Sequence, residues 1–308
     1  MNSNNLALII TYLGEFPAYF PFFLQSCYYN PDVDFIIYTD ADTSAYASAP
    51  NVRFVPLTLD DFNRRATEKF GFPVSITKAY KLCDIKPMYG FLYEEQLTTY
   101  SHWGYCDVDM IFGPLTRTFT AAQLDAYDVI SSHPRYMSGA FSIYRNKPEI
   151  TRLFMQSKDW KRVLKEDQNF YFDEASNVIH HLWEGAALTD YPSEVESISH
   201  VVHRNASRLS VLMAPIISER ITEEIRWNNG ELWDGSQPIT LFHYLIYKGE
   251  LTFNVPAFRN VTNYTFTRHG FFTPTVSSWT RDWAASVARN LSEKFRRKAR
   301  KVIQRLTA

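Results

Sequence analysis

The stretch Trp103-Gly104-Tyr105-Cys106-Asp107-Val108-Asp109-Met110-Ile111-Phe112-Gly113-Pro114 sets two carboxylates two residues apart at the end of an apolar run, and a Gly-Pro breaker closes it. On an extended strand, residues i and i+2 share a face. Where the strand ends, the oxygens of Asp107 and Asp109 can therefore converge on one point. Hard oxygen ligands, few in number and with positions left for phosphate oxygens, suit a divalent cation. The motif thus reads as a cation site that holds a diphosphate, and so implies a nucleotide-activated substrate. A tripeptide of this kind also arises as a plain polar strand end whose Asp caps the next turn, so the surrounding elements have to decide.

Upstream, Leu6-Ala-Leu-Ile-Ile-Thr11 is a short aliphatic run suited to a strand buried on both faces. A break follows at Tyr12–Pro17, and Ala18 to Tyr29 reads as a helix. Asn30-Pro31-Asp32 is turn chemistry. Two further strands are predicted, Asp34–Thr39 ending at Asp40 and Val52–Leu57. This alternation is the rhythm of a parallel sheet with crossovers. Ligands of such sheets bind beyond the carboxyl ends of the strands, which places Thr11, Tyr12 and Asp40 at candidate ligand-binding positions. Lys78 to Tyr93 is predicted helical, with a kink or restart at Pro87, which has no N–H to donate. Tyr127–Ser132 and Ala140–Tyr144 read as later strands, and Lys147 to Phe154 as a helix. Leu188 to Ile225 carries no clear pattern.

The chain has 308 residues, 45% hydrophobic and 16% aromatic, enough for one large α/β unit with a sizeable core. A formal net charge of −1 argues against a nucleic-acid partner. Cys27, Cys83 and Cys106 show no disulfide or metal-ligand spacing, which favours a reducing, cytoplasmic setting. No signal-peptide pattern or membrane-length apolar run is present in the sequence. Residues 1–275 are expected to form the main domain and 276–308 a separate tail. In that tail Val287, Leu291, Phe295, Val302 and Leu306 recur at helical spacing, amid Arg289, Lys294, Arg296, Arg297, Lys298, Arg300, Lys301 and Arg305. A basic amphipathic helix over 285–308 is suited to peripheral contact with an anionic membrane, here the inner face of the cytoplasmic membrane, or to docking on its own domain.

Taken together, the N-terminal βαβ, Lys81-Leu-Cys-Asp84-Ile-Lys86-Pro and Asp107-Val-Asp109 resemble a bacterial polysaccharide-biosynthesis glycosyltransferase of the GT-A fold, over approximately residues 6 to 255. The resemblance implies a Rossmann-like, mostly parallel sheet flanked by helices. It also implies Mn²⁺ or Mg²⁺ bridging Asp107 and Asp109 to a nucleotide-sugar, with UDP the expected nucleotide. Asp109 would be the firmer ligand, while Asp107 would touch the sugar, the ribose or the metal through water. Asp84 can hold sugar hydroxyls, and Lys86 can neutralise diphosphate or carboxylate oxygens; Lys78 is a further cationic candidate. The alternative for Lys81 and Asp84 is an exposed i,i+3 helix pair.

Leu241-Phe-His243-Tyr-Leu-Ile-Tyr-Lys248-Gly249 resembles a late GT-A element in which a His is a third metal ligand and a Lys grips the departing diphosphate. Its spacing is a residue shorter than the commonest form, and the usual Pro-Trp is absent, so His243 is either a ligand or a satisfied core residue. An inverting transfer needs a carboxylate general base. Asp173 and Glu174, after Phe170-Tyr-Phe172, are the candidates, with Asp167 in reserve; a helix N-cap at Asp173 is the structural alternative. Gly139, in Met137-Ser-Gly-Ala140, allows backbone to approach the donor sugar. The expected activity is transfer from a nucleotide-sugar to a glycan or lipid-linked glycan acceptor in surface polysaccharide synthesis, such as capsule or O-antigen. One rival is an inactive GT-A-like glycan-binding protein. Another is a haloacid-dehalogenase-type phosphatase, whose Asp-x-Asp usually ends the first strand, whereas three predicted strands precede it here.

Overall fold

The computed structural model describes residues 5–46, 49–257, 261–274, 284–292 and 294–296. The chain forms two compact units, neither of them continuous in sequence. The first comprises residues 1–17, 30–108 and 115–217, and the second residues 18–29, 109–114 and 218–308.

The first unit is mixed α/β, built on a large, mostly parallel sheet of seven strands flanked by helices. The strands Leu6–Thr11, Val33–Thr39 and His102–Cys106 pair in parallel, with Val52–Pro56 at one edge. Phe141–Arg145 runs antiparallel to its two neighbours, and Val129–Ser131 and Val211–Met213 complete the order in parallel. The expected mostly parallel α/β architecture is therefore the one observed. The register also explains how the sheet gathers functional positions. Leu6 lies opposite both Val33 and His102, so Thr11, Thr39 and Cys106 end at a common edge. Cys106 faces Phe141 across the antiparallel pair, so Ala140 accepts a 3.0 Å hydrogen bond from the Asp107 N–H and Gly139 stands beside it.

Alternation puts Ala7, Ile9, Ile36, Tyr38, Trp103 and Tyr105 on one sheet face, where helical side chains cover them. The covering layer includes the helix Leu59–Phe70, which sequence patterning did not predict. A capping box starts that helix: the Thr58 hydroxyl accepts from the Asp61 N–H at 3.1 Å, and the Asp61 carboxylate accepts from the Thr58 N–H at 3.2 Å. Gly71, at φ 73°, ends it. Thr58→Ala is expected to cost about 1 kcal/mol, read as a fall of roughly 2 °C in Tm by differential scanning calorimetry.

The predicted helix from Lys78 to Tyr93 is present with the expected restart. A 3₁₀ segment covers Ala79–Met88 and an α-helical turn Tyr89–Leu92 follows Pro87. Tight winding packs Gly90 flat on the Trp103 indole, which in turn stacks on Tyr144 at 4.6 Å.

The second unit joins the helix Phe20–Tyr28, the antiparallel pair Met110–Phe112 with Leu241–His243, and a five-stranded sheet that includes Ile225–Asn228, Glu231–Asp234 and Asn263–Thr267. Phe22, Ile111, Trp227, Phe242, Tyr264 and Phe271 form its core. Residues 284–292 are helical and are tied to this unit. Ser286 is buried and hydrogen-bonds Asn254, and the Asn290 amide donates to the Leu251 and Phe253 carbonyls. Leu291 and Phe295 are exposed. The remainder of the predicted basic helix lies outside the described residues. No helix among the described residues is long and apolar enough to cross a membrane.

Candidate functional site

In the first unit the strand His102–Cys106 delivers Asp107, whose side chain is partly exposed. The 3₁₀ segment delivers Lys86. Its ammonium donates to Asp107 Oδ1 at 2.6 Å and to the Gly139 carbonyl at 2.7 Å, and lies 3.7 Å from Asp173 Oδ2. Burial alone would lower the Lys86 ammonium, but Asp107 first, then Cys83 and Asp173, raise it well above the usual lysine range. Asp173 is itself buried. Loss of solvent pushes its carboxyl well above the ordinary value; Lys86 opposes that push, and Glu174, Asp84 and Asp107 add to it. A carboxyl raised by burial beside a fixed cation is a candidate proton-transfer group.

Gly139 permits this arrangement. A Cβ there would fall 2.5 Å from Asp173 Oδ2 and 2.8 Å from Glu174 Cγ. Gly139→Ala is therefore expected to displace the 173–174 turn and to destabilise the fold by about 1–3 kcal/mol, measurable by urea unfolding.

Asp84, a sugar-holding candidate by sequence position, has protein partners in the structure. It is fully buried, and its oxygens accept from the Phe170 N–H at 2.8 Å, the Phe172 N–H at 2.9 Å and Lys81 Nζ at 2.8 Å. The pair Lys81 and Asp84 is thus buried, in place of the exposed helix pair that i,i+3 spacing allows. Asp167 hydrogen-bonds both the N–H and the hydroxyl of Thr77, so the reserve base ties down a loop. Asp40 is exposed and accepts from the Gly14 N–H at 2.6 Å, while Tyr12 stacks on Phe16 at 5.2 Å. Thr11 is half-buried at its strand end, and Lys78 is exposed at the head of the 3₁₀ segment. Asp173 lies in a turn before the 3₁₀ segment Ser176–Val178 and is not the residue that caps it.

In the second unit the pairing of Met110 with His243 brings the imidazole beside Asp109. The Tyr244 N–H extends the ladder to the Asp109 carbonyl at 3.1 Å. Asp109 is buried; its Oδ2 lies 3.3 Å from His243 Nε2 and 2.6 Å from Lys248 Nζ. Burial would raise the Asp109 carboxyl, but His243 and then Lys248 prevail and hold it below the usual carboxylate range. On the far side of the ring, His243 Nδ1 lies 3.0 Å from Glu219 Oε1. A carboxylate on Nδ1 turns Nε2 toward a metal, the common second partner of a ligating His. The donor set of Asp109 and His243 therefore fits the implied Mn²⁺ or Mg²⁺, with Mn²⁺ favoured by the imidazole. The unit boundary falls between Val108 and Asp109, so the two carboxylates of the motif belong to different units.

A separate cavity of about 1020 Å³ in the second unit is lined by Arg226, Trp233, Asn263, Thr265 and Phe272 among others, and by none of the predicted site residues.

Residues 8–240 match the model for the family of unknown function DUF6625. The chain belongs to DUF6625. No curated protein matches its sequence. Among solved structures it is similar to galactosyltransferase LgtC in complex with donor and acceptor sugar analogs, at 13% identity over 77% of this chain and 87% of that one, with a TM-score of 0.36. An active-site mutant of LgtC is similar at 12% identity over the same shares, with a TM-score of 0.37.

Two features near the candidate site of this DUF6625 chain escaped sequence reasoning. Glu219 lies in a stretch without periodic pattern, and only the fold brings it to His243. Tyr171 adopts φ 54°, a left-handed conformation rare for a bulky side chain, which no residue pattern signals.

Proposed function

We propose that the protein is a metal-dependent glycosyltransferase of GT-A type that uses a nucleotide-sugar, with UDP the expected nucleotide, and acts on a glycan or lipid-linked glycan acceptor in surface polysaccharide synthesis. The observation that supports this reading most is the order Glu219–His243–Asp109–Lys248, a buried carboxylate and an oriented imidazole with a cation at hand. In this reading Asp109 and His243 hold Mn²⁺ or Mg²⁺ together with Asp107, two residues along the chain. When bound, such an ion neutralises diphosphate charge and eases departure of the nucleotide.

The chain's own residues supply the rest. Lys248 can leave Asp109 for the diphosphate oxygens as negative charge develops there. Lys86 fixes Asp107 and the Gly139 carbonyl, so that the strand end and the 139–140 turn meet the donor sugar with preset geometry. Asp173, its carboxyl raised by burial, takes the proton from the acceptor hydroxyl, and Glu174 is the neighbouring acid. The domain limits 1–275 and 276–308, and a peripheral membrane role for the basic tail, belong to the same proposal.

The test is a thermal-shift and hydrolysis panel of nucleotide-sugars with and without Mn²⁺. A stabilisation requiring both the metal and one nucleotide is the expected result. No response to any nucleotide-sugar would sink the reading.

A further inference from the structure

A strained, exposed tyrosine stands next to the candidate base. Tyr171 has φ 54° and its side chain is exposed. Left-handed backbone favours Gly or Asn, and a tyrosine persists there only where its surroundings over-determine it. Here they do. The N–H groups on either side, of Phe170 and Phe172, both donate to the buried Asp84. The Tyr171 carbonyl accepts from the Glu174 and Ser176 N–H groups at 3.1 and 3.0 Å. Phe170 and Phe172 turn inward and are buried, so the clasp presents only the middle ring to solvent.

The 3₁₀ segment that carries Asp84 also carries Tyr80, 68% exposed, and Lys86, whose ammonium meets Asp107 and Asp173. Partial burial first, then nearby Cys83, Tyr171, Asp173 and Asp107, push the Tyr80 hydroxyl up to about 12, so it stays a neutral donor. The Asp84 clasp ties the loop of Tyr171 and Asp173 to the segment of Tyr80 and Lys86, and exposed aromatic rings with polar edges match the chemistry of a sugar ring, which has apolar C–H faces and hydroxyl edges.

We propose that Tyr171 and Tyr80 form a stacking site for a pyranose ring of the acceptor, positioned so that an acceptor hydroxyl faces Asp173. This rests on the transferase reading in one respect: the acceptor, not the donor, is assigned because a general base at Asp173 acts on the acceptor hydroxyl and Tyr171 shares its loop.

Saturation-transfer NMR with methyl galactopyranoside and methyl glucopyranoside tests the site. The native protein is expected to saturate at least one of them. Tyr80→Ala and Tyr171→Ala should weaken the signal about five- to ten-fold, while Tyr80→Phe and Tyr171→Phe retain it. Should Tyr171→Ala fail to fold by circular dichroism, Tyr80→Ala decides, since it leaves the strained loop untouched. No saturation in the native protein, or full saturation in folded alanine variants, overturns the site. UDP-galactose with Mn²⁺ should leave the pyranoside in place; displacement by UDP-galactose but not by UDP makes the donor's own sugar the occupant and overturns the acceptor assignment. The transferase reading stands or falls separately, on donor hydrolysis by the native protein.

Discussion

Asp109→Asn is expected to abolish the metal-dependent thermal shift and to lower any metal-dependent donor hydrolysis by at least about 100-fold, since even outer-sphere partners of a metal ligand are worth ten- to a hundred-fold. The carboxamide keeps the shape of the side chain but offers neither the charge nor the two acceptor oxygens. Its structural effect should be smaller. Lys248 is about one-third exposed and can turn its ammonium to water, whereas His243 is buried and loses the carboxylate charge 3.3 Å from Nε2. A cost of about 1–3 kcal/mol is the ordinary consequence of a buried polar group left without its partner.

The sign of the pH dependence follows from the depressed Asp109 carboxyl. Its contribution is present above the unfolded value of about 4 and is lost as pH falls below it, so acid should narrow the gap between native protein and variant. Equal stability of the two at neutral pH, or an unchanged metal response, would contradict the assignment.

Asp173→Asn should act in the opposite sense on stability. The folded carboxyl is raised by burial, so between its unfolded and folded values the native state holds a proton that the unfolded chain has released. The associated stability is complete below about pH 4 and is lost as pH rises through the folded value. Above the unfolded value the buried carboxyl therefore weighs against the fold, and Lys86, at 3.7 Å, opposes the shift. The amide removes that burden. Its Tm at pH 7 to 8 is expected to exceed that of the native protein by a few degrees, with the advantage vanishing in acid. Transfer should fall on the order of 10²–10⁴-fold, the usual worth of a general base. A variant both less stable at pH 8 and fully active would refute this role for Asp173.

The parallel half of the sheet was legible in the sequence because the apolar runs Leu6–Ile10 and Phe35–Tyr38 are buried and uninterrupted. The helix Leu59–Phe70 was not. Only Phe62 and Ala66 of its residues are buried, and so thin an apolar stripe is easily read as loop. Asp107 and Asp109 announced themselves by spacing, yet spacing could not say that one would meet Lys86 and the other His243. That depends on two strand registers, Cys106 with Phe141 and Met110 with His243. Asp84 shows the reverse case. Its residue type suits sugar hydroxyls, but three donors already surround it, because a buried carboxylate beside a tight loop is first a backbone acceptor. The hairpin Ile225–Asn228 with Glu231–Asp234 was missed because its strands are only four residues long, and so short an alternation is a weak signal.

The threading of the second unit has a consequence for synthesis. Phe22, which stacks on Phe271 at 4.2 Å, and Ile111, in the strand that pairs with Leu241–His243, leave the ribosome long before their partners exist. At about 5–20 residues per second, the interval between Phe22 and Phe271 is roughly 10–50 s. During that time the nascent chain carries apolar segments whose final neighbours have not been translated. Its second body therefore cannot close until the residues from 218 onward have been made, even if the strands of the parallel sheet pair earlier.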